Sequence, residues 1–483
     1  MKTIKVLGHS DEALKNNVGF GEGLSNFSVS DAVLFATDRA SATPQVIKDL
    51  QDDDIVELIF EDNIHRWVTV AELEEQFKYQ ISRGSEPGVI EIPGRLPSGD
   101  TSRGATSWVL KGLRVLKFDP VEKTVEGLIK KFDEEKLMPK PGLFRFAEKL
   151  DKRGEALNKP EIKVSKPVLL FIHGTFSSIE NGFGSLRPEV WARLQGKYGE
   201  QIFGFNHRTL SESPIQNTLE LVEKLPEKAI LHLVTHSRGG LIGELLCRSG
   251  RTGTQALFDE DDENLMAEDK ADLVKLSSLL KEKNIKVERF VRVACPARGT
   301  TLASKRVDRW LEIIVNVIAK VLPPGPGNIF GVLADLLLEL KKQSANPEAI
   351  PGLAAMDPES NFIRMINRED VKVKADLTVI AGDVEKNNLA GRLAIFFTDL
   401  FYTDEHDLVV QTPAMYGGSA REAGRYFFDK GADVNHFNYF SNQKTAEKLG
   451  EALLDEPETL SAQGFRPIQE AYVRAIPDVE ITA

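Results

Sequence analysis

The sequence has 483 residues, 41% of them hydrophobic, which is enough for two or three domains with sizeable cores. Its formal net charge is −12 at pH 7, and it contains no basic block of the kind that follows a phosphate backbone, which argues against a nucleic-acid partner. The two cysteines, Cys247 and Cys295, lie in apolar surroundings and are interpreted as reduced core thiols rather than as a disulfide framework.

We expect a soluble, cytoplasmic protein that crosses no membrane. The N-terminal stretch contains lysines but lacks the continuous apolar region of a secretory signal. No run in the sequence reaches the roughly 18 uninterrupted apolar residues that a membrane-spanning helix needs.

Residues 1–150 are predicted to form a separate β-rich or α+β domain of unknown role. Short apolar and β-branched runs broken by turn signals indicate its strands. These strands are Ile55–Phe60, Arg66–Val70, Val89–Ile92 and Trp108–Phe118. A charged helical stretch, Thr124–Leu150, is predicted to lead into the next domain. One interpretation of the N-terminal domain is that it docks a protein partner.

Residues 151–455 alternate between strand and helix patterns, as a mostly parallel, doubly wound α/β sheet requires. The strand candidates are 167–172, 201–205, 229–234, 288–294, 376–381 and 424–428, and the helical patterns between them include Glu189–Gln195, Ile215–Leu225 and Arg238–Arg248. An open parallel sheet binds its ligand at the carboxyl ends of its strands. We therefore expect the functional residues in loops that follow strands. The remaining residues, 456–483, are predicted to be a C-terminal tail.

The first strand of this domain ends in His173 and Gly174 and leads into a polar turn. A glycine there allows the backbone to approach a substrate closely. The backbone N–H of Thr175 or Phe176 could then pair with that of Arg238 to hold a developing negative oxygen. This loop is therefore a candidate oxyanion loop.

The run Leu231–Gly240 reads as a strand, a sharp turn that carries Ser237, and the start of a helix. Such a turn exposes the serine hydroxyl at the end of the sheet, and the helix N-terminus offers N–H groups and a positive dipole end to an oxyanion. The usual glycine two residues before the serine is replaced by Thr235. Cleavage of an ester-like bond by Ser237 is the leading hypothesis, and capping of the following helix is the alternative role.

Two excursions interrupt the sheet pattern. Asp259–Glu263 is a run of five acidic residues without the glycine and ligand order of a calcium loop, and we interpret it as a solvated loop. An apolar helical hairpin is predicted over about 305–342, with a Pro-Pro-Gly-Pro-Gly break between two apolar stripes at helical spacing. The simplest role of the hairpin is packing on the core of the same domain.

An acid and a base for Ser237 follow it in the sequence. Asp407 begins an Asp-Leu-Val-Val run and is the preferred acid, with Asp383 and Asp404 as alternatives. His436 is the preferred base. His406 is the alternative base, but residues adjacent in sequence rarely face each other productively, and His406 adjoins Asp407.

Over about residues 160–455 the sequence resembles the lipase-like branch of the serine α/β-hydrolases. The Ser, Asp, His order is the order of that family. Cys295–Ser304 is similar to the turn that follows a later strand in lipases, and Gly352–Asn367 is similar to the Pro-x-Ser-x-Phe stretch ahead of the strand that bears the acid. The resemblance implies an α/β-hydrolase fold in which the helical hairpin is a lid that shapes an apolar acyl pocket.

The resemblance implies that Ser237 attacks an acyl carbon, His436 takes and returns the proton, and Asp407 orients the imidazole. The predicted function is a serine hydrolase of lipase or esterase type, acting on carboxylic esters with an apolar acyl chain. The alternatives are a thioesterase, amidase or acyltransferase with the same triad, or a partner-gated effector or interaction module. No cofactor is predicted, and no histidine pair has metal-ligand spacing. Expected partners are a small-molecule or lipid ester, a transient membrane surface and a protein bound by the N-terminal domain.

Overall fold

The chain is described from a computed structural model. The residues it describes are 1–16, 27–36, 43–61, 64–77, 88–97, 107–118, 125–138, 140–146, 148–151, 157, 161–251, 257–300, 311–312, 315–316, 336–341, 350–384, 407, 409–421, 424–431 and 434–474. They form two compact units. The first unit comprises Met1–Phe132, Arg306–Ala349 and Ile395–Tyr402, and the second comprises Asp133–Lys305, Ile350–Ala394 and Thr403–Ala483.

The first unit is built on an eight-stranded sheet. Its strands are β1 (Lys2–Ser10), β2 (Phe27–Phe35), β3 (Thr43–Leu50), β4 (Ile55–Phe60), β5 (His65–Thr69), β6 (Val89–Ile92), β7 (Arg95–Pro97) and β8 (Ser107–Phe118). The main path runs β3-β1-β2-β8-β4-β5 and is antiparallel, while β6 adds to β1 in parallel and β7 adds to β8. Its helices are α1 (Glu12–Asn16), α2 (Val70–Phe77) and α3 (Val125–Phe132).

The four strands predicted in the N-terminal region are present as β4, β5, β6 and β8. Four further strands, β1, β2, β3 and β7, were not predicted. The reason is visible in β3, which exposes most of its side chains and therefore lacks a clean alternation of apolar and polar residues. The predicted helical stretch Thr124–Leu150 is wrong in its second half, because a short π-helix, Asp133–Leu137, ends the helix and a strand follows.

The predicted hairpin at about 305–342 has its described residues in the first unit. Leu311, Val315 and the run 336–341 are helical and buried. The side chain of Asn316 accepts a hydrogen bond from the His65 N–H at 2.7 Å and donates one to the His65 carbonyl at 2.7 Å, and Glu312 Oε1 accepts from the Trp67 N–H at 3.1 Å. Two side chains of the inserted segment therefore bind the outer backbone groups of β5. A lid role for this segment stays a prediction.

The second unit is built on a mostly parallel sheet. Its strands are β9 (Gly142–Arg145), β10 (Val168–Ile172), β11 (Ile202–Asn206), β12 (Ile230–His236), β13 (Lys286–Val293), β14 (Lys372–Val373), β15 (Asp376–Val384), β16 (Ala420–Arg421), β17 (Gly424–Gly431) and β18 (Arg466–Pro467). The order is β18-β17-β15-β13-β12-β10-β11-β9, parallel except for the antiparallel edges β9 and β18, while β14 and β16 form a separate parallel pair. All six predicted strands are present, which confirms an α/β architecture.

The helices of the second unit follow the strands as crossovers. They are α4 (Ile179–Phe183), α5 (Pro188–Tyr198), α6 (Pro214–Lys224), α7 (Gly239–Cys247), α8 (Glu260–Leu265), α9 (Lys270–Lys283), α10 (Pro351–Ala354), α11 (Asn361–Ile366), α12 (Gln443–Leu454) and α13 (Ile468–Arg474). Helix α6 begins with a capping box in which Ser213 and Gln216 satisfy each other's backbone N–H groups. The three predicted helical patterns coincide with α5, α6 and α7.

The edge strands change the predicted limits of this unit. Strand β9 lies before residue 150 but pairs with β11, so the second unit begins at Asp133. The predicted tail from residue 456 contributes β18, which pairs with β17, and α13. Both segments belong to the second unit because their backbone groups complete its sheet.

The acidic run Asp259–Glu263 is not a solvated loop, contrary to the prediction. Asp259 caps α8, whose first turn contains the other four acids. Asp262 is fully buried and pairs with Arg248 at 3.0 Å and with Arg368 at 3.1 Å. The run is acidic because a helix N-terminus and two arginines both favour negative charge.

Cys247 and Cys295 are both free and buried, and burial raises the pKa of each thiol to about 12. Both therefore stay protonated and unreactive at neutral pH. None of the helices that the structure describes has the length and apolar character to cross a bilayer.

Three histidines of the second unit are buried in their neutral form. Burial, more than any neighbouring charge, lowers the pKa of His232 and of His236 to about 3 and that of His207 well below its usual 6.5. Between pH 6.5 and those lower values the unfolded chain binds protons that the folded chain rejects. The stabilisation is therefore complete above about pH 6.5 and is lost as the pH falls.

Between pH 7 and pH 5 we expect the free energy of unfolding to fall by about 1.4 kcal/mol per pH unit for each of these histidines once the pH is below about 6.5. Urea unfolding followed by circular dichroism at several pH values measures this slope. His232→Gln should reduce it by the share of one histidine, whereas His9→Gln, which removes an exposed histidine of the first unit, should leave it unchanged. Equal slopes for the wild type and His232→Gln would contradict the prediction.

Candidate active site

Ser237 lies in a tight turn between β12 and α7. Its φ is +52°, in the left-handed region that non-glycine residues rarely adopt. Its N–H donates to the Val293 carbonyl at 2.9 Å, and its own carbonyl accepts from the Gly240 N–H at 2.9 Å. The neighbouring strand and the first turn of the helix thus hold the strained backbone in place. The arrangement is that of a serine carried on an elbow at the carboxyl end of a central strand.

Two glycines make this elbow possible. A Cβ on Gly174 would lie 2.7 Å from the Cβ of Ser237 and 3.3 Å from its Oγ, so this loop touches the serine only because it has no side chain there. A Cβ on Gly239 would lie 2.5 Å from the His173 carbonyl oxygen and against that of Ile172. Glycine at both positions brings the loop after β10 and the start of α7 into direct backbone contact.

Thr235, which stands where the family pattern has glycine, is fully buried in β12. Its backbone pairs with Ile172 on one side and Arg292 on the other. Its Oγ1 is buried and has no hydrogen-bond partner within the described part of the chain. The departure is thus accommodated inside the sheet, at the cost of an unsatisfied hydroxyl.

Asp407 and His436 form a buried pair. His436 Nδ1 lies 2.8 Å from Asp407 Oδ2, and the His436 backbone N–H donates to the Asp407 carbonyl at 2.9 Å. The other carboxylate oxygen accepts the N–H groups of Val409 at 3.2 Å and Val410 at 2.9 Å. Burial by itself raises the pKa of Asp407, but His436 and these two amides outweigh it and hold the pKa below its usual 3.8. The carboxylate is therefore ionised and fixed with one oxygen on the imidazole.

His236 connects this pair to the serine. It precedes Ser237, and its Nε2 lies 2.9 Å from the His436 backbone carbonyl, with the two imidazole centroids 4.8 Å apart. Because its pKa is lowered to about 3, the ring is neutral, and the contact with a carbonyl fixes the proton on Nε2. The residue before Ser237 thus lies against His436, and the role of Ser237, Asp407 and His436 as a triad stays a prediction.

The alternative acids and base fall elsewhere. Asp383 lies on β15 and forms an ion pair with Lys430 on β17 at 2.5 Å. Asp404 and His406 lie outside the described residues. Asp407 is the carboxylate that contacts His436.

The predicted oxyanion donors differ in their hydrogen bonding. The Phe176 N–H donates to Thr209 Oγ1 at 3.3 Å, so it already has an acceptor. The N–H groups of Thr175 and Arg238 have no acceptor among the residues that the structure describes. Of the three predicted donors, Thr175 and Arg238 therefore keep an N–H without an acceptor in the described part of the chain, and their role in holding a negative oxygen stays a prediction.

The Arg238 side chain is fully buried, and the sequence did not indicate a role for it. It donates to the Gly352 carbonyl at 2.9 Å, to Asn217 Oδ1 at 2.8 Å and to the Glu212 carbonyl at 2.6 Å. Burial lowers the pKa of Arg238 to about 10, which leaves it charged at neutral pH. It ties the elbow to the loop before α6 and to α10.

Asp133 was also missed, because it lies far from the site in sequence. Its Oδ2 accepts from the N–H groups of Leu210 at 3.0 Å and Ser211 at 2.6 Å and from the Ser211 hydroxyl at 2.8 Å. Burial raises the pKa of Asp133, with these donors opposing the rise. It orders the loop after β11, which also contains Thr209.

His173 and His207 stack with centroids 4.2 Å apart behind the oxyanion loop. His173 Nδ1 contacts the Gly174 carbonyl at 2.8 Å, and its Nε2 accepts from the His207 N–H at 3.1 Å. His173 therefore orders the turn, and His207 is fully buried beside it. No group of metal-ligating side chains occurs among the described residues.

A family model described as a domain of unknown function (DUF7379) matches residues 142–258 and 271–454. No curated protein matches the chain in sequence. Among solved structures the chain is similar to a lipase from Staphylococcus hyicus, with 15% identity, a TM-score of 0.38, and coverage of 66% of this chain and 100% of that chain. It is also similar to lipase 1 from Pelosinus fermentans, with 13% identity, a TM-score of 0.38, and coverage of 60% and 99%. A third similar structure is EstA from Clostridium botulinum, with 10% identity, a TM-score of 0.38, and coverage of 69% and 98%.

Proposed function

The chain belongs to the family of the domain of unknown function DUF7379, whose model spans Ser237, Asp407 and His436, and we propose that this domain is a serine hydrolase of carboxylic esters. The observation that carries the proposal is the buried Asp407–His436 pair, in which the His436 backbone carbonyl accepts a hydrogen bond from His236, the residue before Ser237. A carboxylate-held imidazole and a serine on a left-handed turn are the groups that acyl transfer needs.

In the proposed reaction Ser237 Oγ attacks the acyl carbon while His436 Nε2 takes the hydroxyl proton. Asp407 stabilises the imidazolium that forms, and the amides of Thr175 and Arg238 receive the negative oxygen of the tetrahedral intermediate. The intermediate collapses to an acyl-serine as His436 returns the proton to the departing alcohol. Water then attacks the acyl-serine by the same steps, which releases the acid and restores Ser237.

Labelling with a fluorophosphonate tests the nucleophile directly. We expect the reagent to modify Ser237 in the native protein and to leave Ser237→Ala unmodified, with peptide mass spectrometry identifying the site. Ser278→Ala is a matched control, because Ser278 is an exposed serine on α9 whose hydroxyl donates to the Val274 carbonyl, and this variant should label like the wild type. Labelling that persists in Ser237→Ala, or is absent from the native protein, would contradict the proposal.

A substrate series tests the chemical class. We expect hydrolysis of p-nitrophenyl esters, graded from acetate to palmitate, to exceed hydrolysis of the matching thioesters and anilides at equal enzyme concentration. The dependence on acyl length would measure how much apolar chain the protein accommodates. A preference for thioesters or anilides would keep the nucleophile but replace the substrate class.

A further inference from the structure

Tyr439 contacts the acid of the proposed triad. Its hydroxyl donates to Asp407 Oδ2 at 3.1 Å, which is the same oxygen that lies 2.8 Å from His436 Nδ1. Together with the amides of Val409 and Val410 on Oδ1, the carboxylate has four donors. Of the other three donors, only the Tyr439 hydroxyl shares the acceptor oxygen Oδ2 with His436.

The residues around Tyr439 hold its hydroxyl against Asp407. The residue is 1% exposed, and its backbone carbonyl accepts the Thr445 hydroxyl at the start of α12. Gly382 of β15 gives the space that the phenol needs, because a Cβ there would lie 2.6 Å from the Tyr439 oxygen. Burial, followed by the charge of Asp407, raises the pKa of Tyr439 well above its usual 10, so the hydroxyl stays a donor throughout the working pH range.

We propose that Tyr439 is a positioning residue that lowers the basicity of His436 by sharing Asp407 Oδ2 with it. The proposal rests on the proposed hydrolase function. A hydrogen bond to the carboxylate stabilises its charge and so weakens its attraction for the imidazolium. A less basic His436 remains free to accept the serine proton at lower pH. Tyr439 would thereby set the acidic limit of activity.

Among the residues that the structure describes, the other ionisable groups near these two side chains are His236, Tyr416 and Asp383. His236 faces both the His436 and Tyr439 rings and is neutral above about pH 3. Tyr416 and Asp383 raise the pKa of Tyr439 electrostatically, and Asp383 is paired with Lys430. None of these groups contacts Asp407 Oδ2 among the residues described, so the effect of removing the Tyr439 hydroxyl is expected to pass through Asp407.

Tyr439→Phe should move the acidic limb of the kcat/KM profile to higher pH by about 0.5–1 pH unit. This is less than the roughly 1–2 units that one hydrogen bond to a charged group is worth, because the effect reaches His436 only through Asp407. The titration of His436, followed by NMR of its ring protons, should move by the same amount. Tyr198→Phe is the matched control. It removes another buried hydroxyl, one that contacts His232 Nδ1 at 2.7 Å, and should leave both profiles unshifted.

Unshifted profiles in Tyr439→Phe, with only the loss of stability that Tyr198→Phe also causes, would overturn the proposal. The NMR titration does not depend on turnover, so it tests Tyr439 even if the protein hydrolyses no ester and the proposed function fails. If Tyr439→Phe does not fold, site-specific 3,5-difluorotyrosine at position 439 keeps the shape and strengthens the donor. It should move the His436 titration to lower pH, and an unchanged or higher value would equally overturn the proposal.

Discussion

Asp407→Asn is expected to lower kcat/KM for ester hydrolysis by about 10⁴-fold while leaving the protein folded. The asparagine side chain has nearly the same shape, so the packing around it is kept. It carries no charge to stabilise an imidazolium, and its amide group can place a donor against His436 Nδ1, which favours the wrong tautomer. Steady-state kinetics near neutral pH with a p-nitrophenyl ester measure the loss.

Asp383→Asn is the control for this experiment. Asp383, on β15, is an alternative acid from the sequence, but its partner is Lys430 and not His436. Removing its charge breaks one half-exposed ion pair, which is worth about 1 kcal/mol or less, and should leave the turnover close to that of the wild type. A large loss in Asp383→Asn together with a small loss in Asp407→Asn would reverse the assignment of the acid.

Gly239→Ala is expected to lower the free energy of unfolding by about 3 kcal/mol. The added methyl group would lie 2.5 Å from the His173 carbonyl oxygen and against that of Ile172. Both are backbone atoms of β10 and its loop, which are fixed by the sheet and cannot rotate away as a flexible side chain can. The helix must therefore move off the strand, and urea unfolding should record the loss.

Gly196→Ala serves as the matched change. Gly196 lies inside α5, and a Cβ there would have no atom within 4 Å. Alanine is the better helix former, so this substitution should raise stability by about 0.5–1 kcal/mol. If both alanine variants had the same free energy of unfolding, the prediction that the close contact at Gly239 excludes a methyl group would be wrong.

The sequence predicted the parallel sheet well because its strands contain short apolar runs between helical patterns. Strand β10, for example, buries all five of its residues. The same reasoning missed β3, whose exposed polar residues give no clear period, and β9, which lies in a stretch that reads as helical. An edge strand is defined by its partner, and a partner that is distant in the chain leaves no local pattern.

The residues of the candidate site likewise fall into those that sequence motifs indicated and those that only the structure revealed. The contact between Asp407 and His436 was anticipated from their short motifs and their order after Ser237, and the triad role of the three residues stays a prediction. Asp133, the Arg238 side chain and Tyr439 act through contacts between segments far apart in sequence, and a buried polar side chain has no signature before its partners are known. The acidic run at Asp259–Glu263 was misread for the same reason, since its arginine partners Arg248 and Arg368 come from two other segments.

The hydrogen bonds from Glu312 and Asn316 to β5 have a consequence for how the chain can be divided. Strand β5 is the last strand on its side of the first sheet, and an uncovered edge is a template for pairing with another molecule. Here side chains from a segment about 250 residues later in the chain occupy those backbone groups in place of a further strand. We therefore expect residues 1–132, expressed alone, to aggregate. Without Glu312 and Asn316, the backbone groups of β5 that these side chains bind would be free to pair with a strand of another molecule.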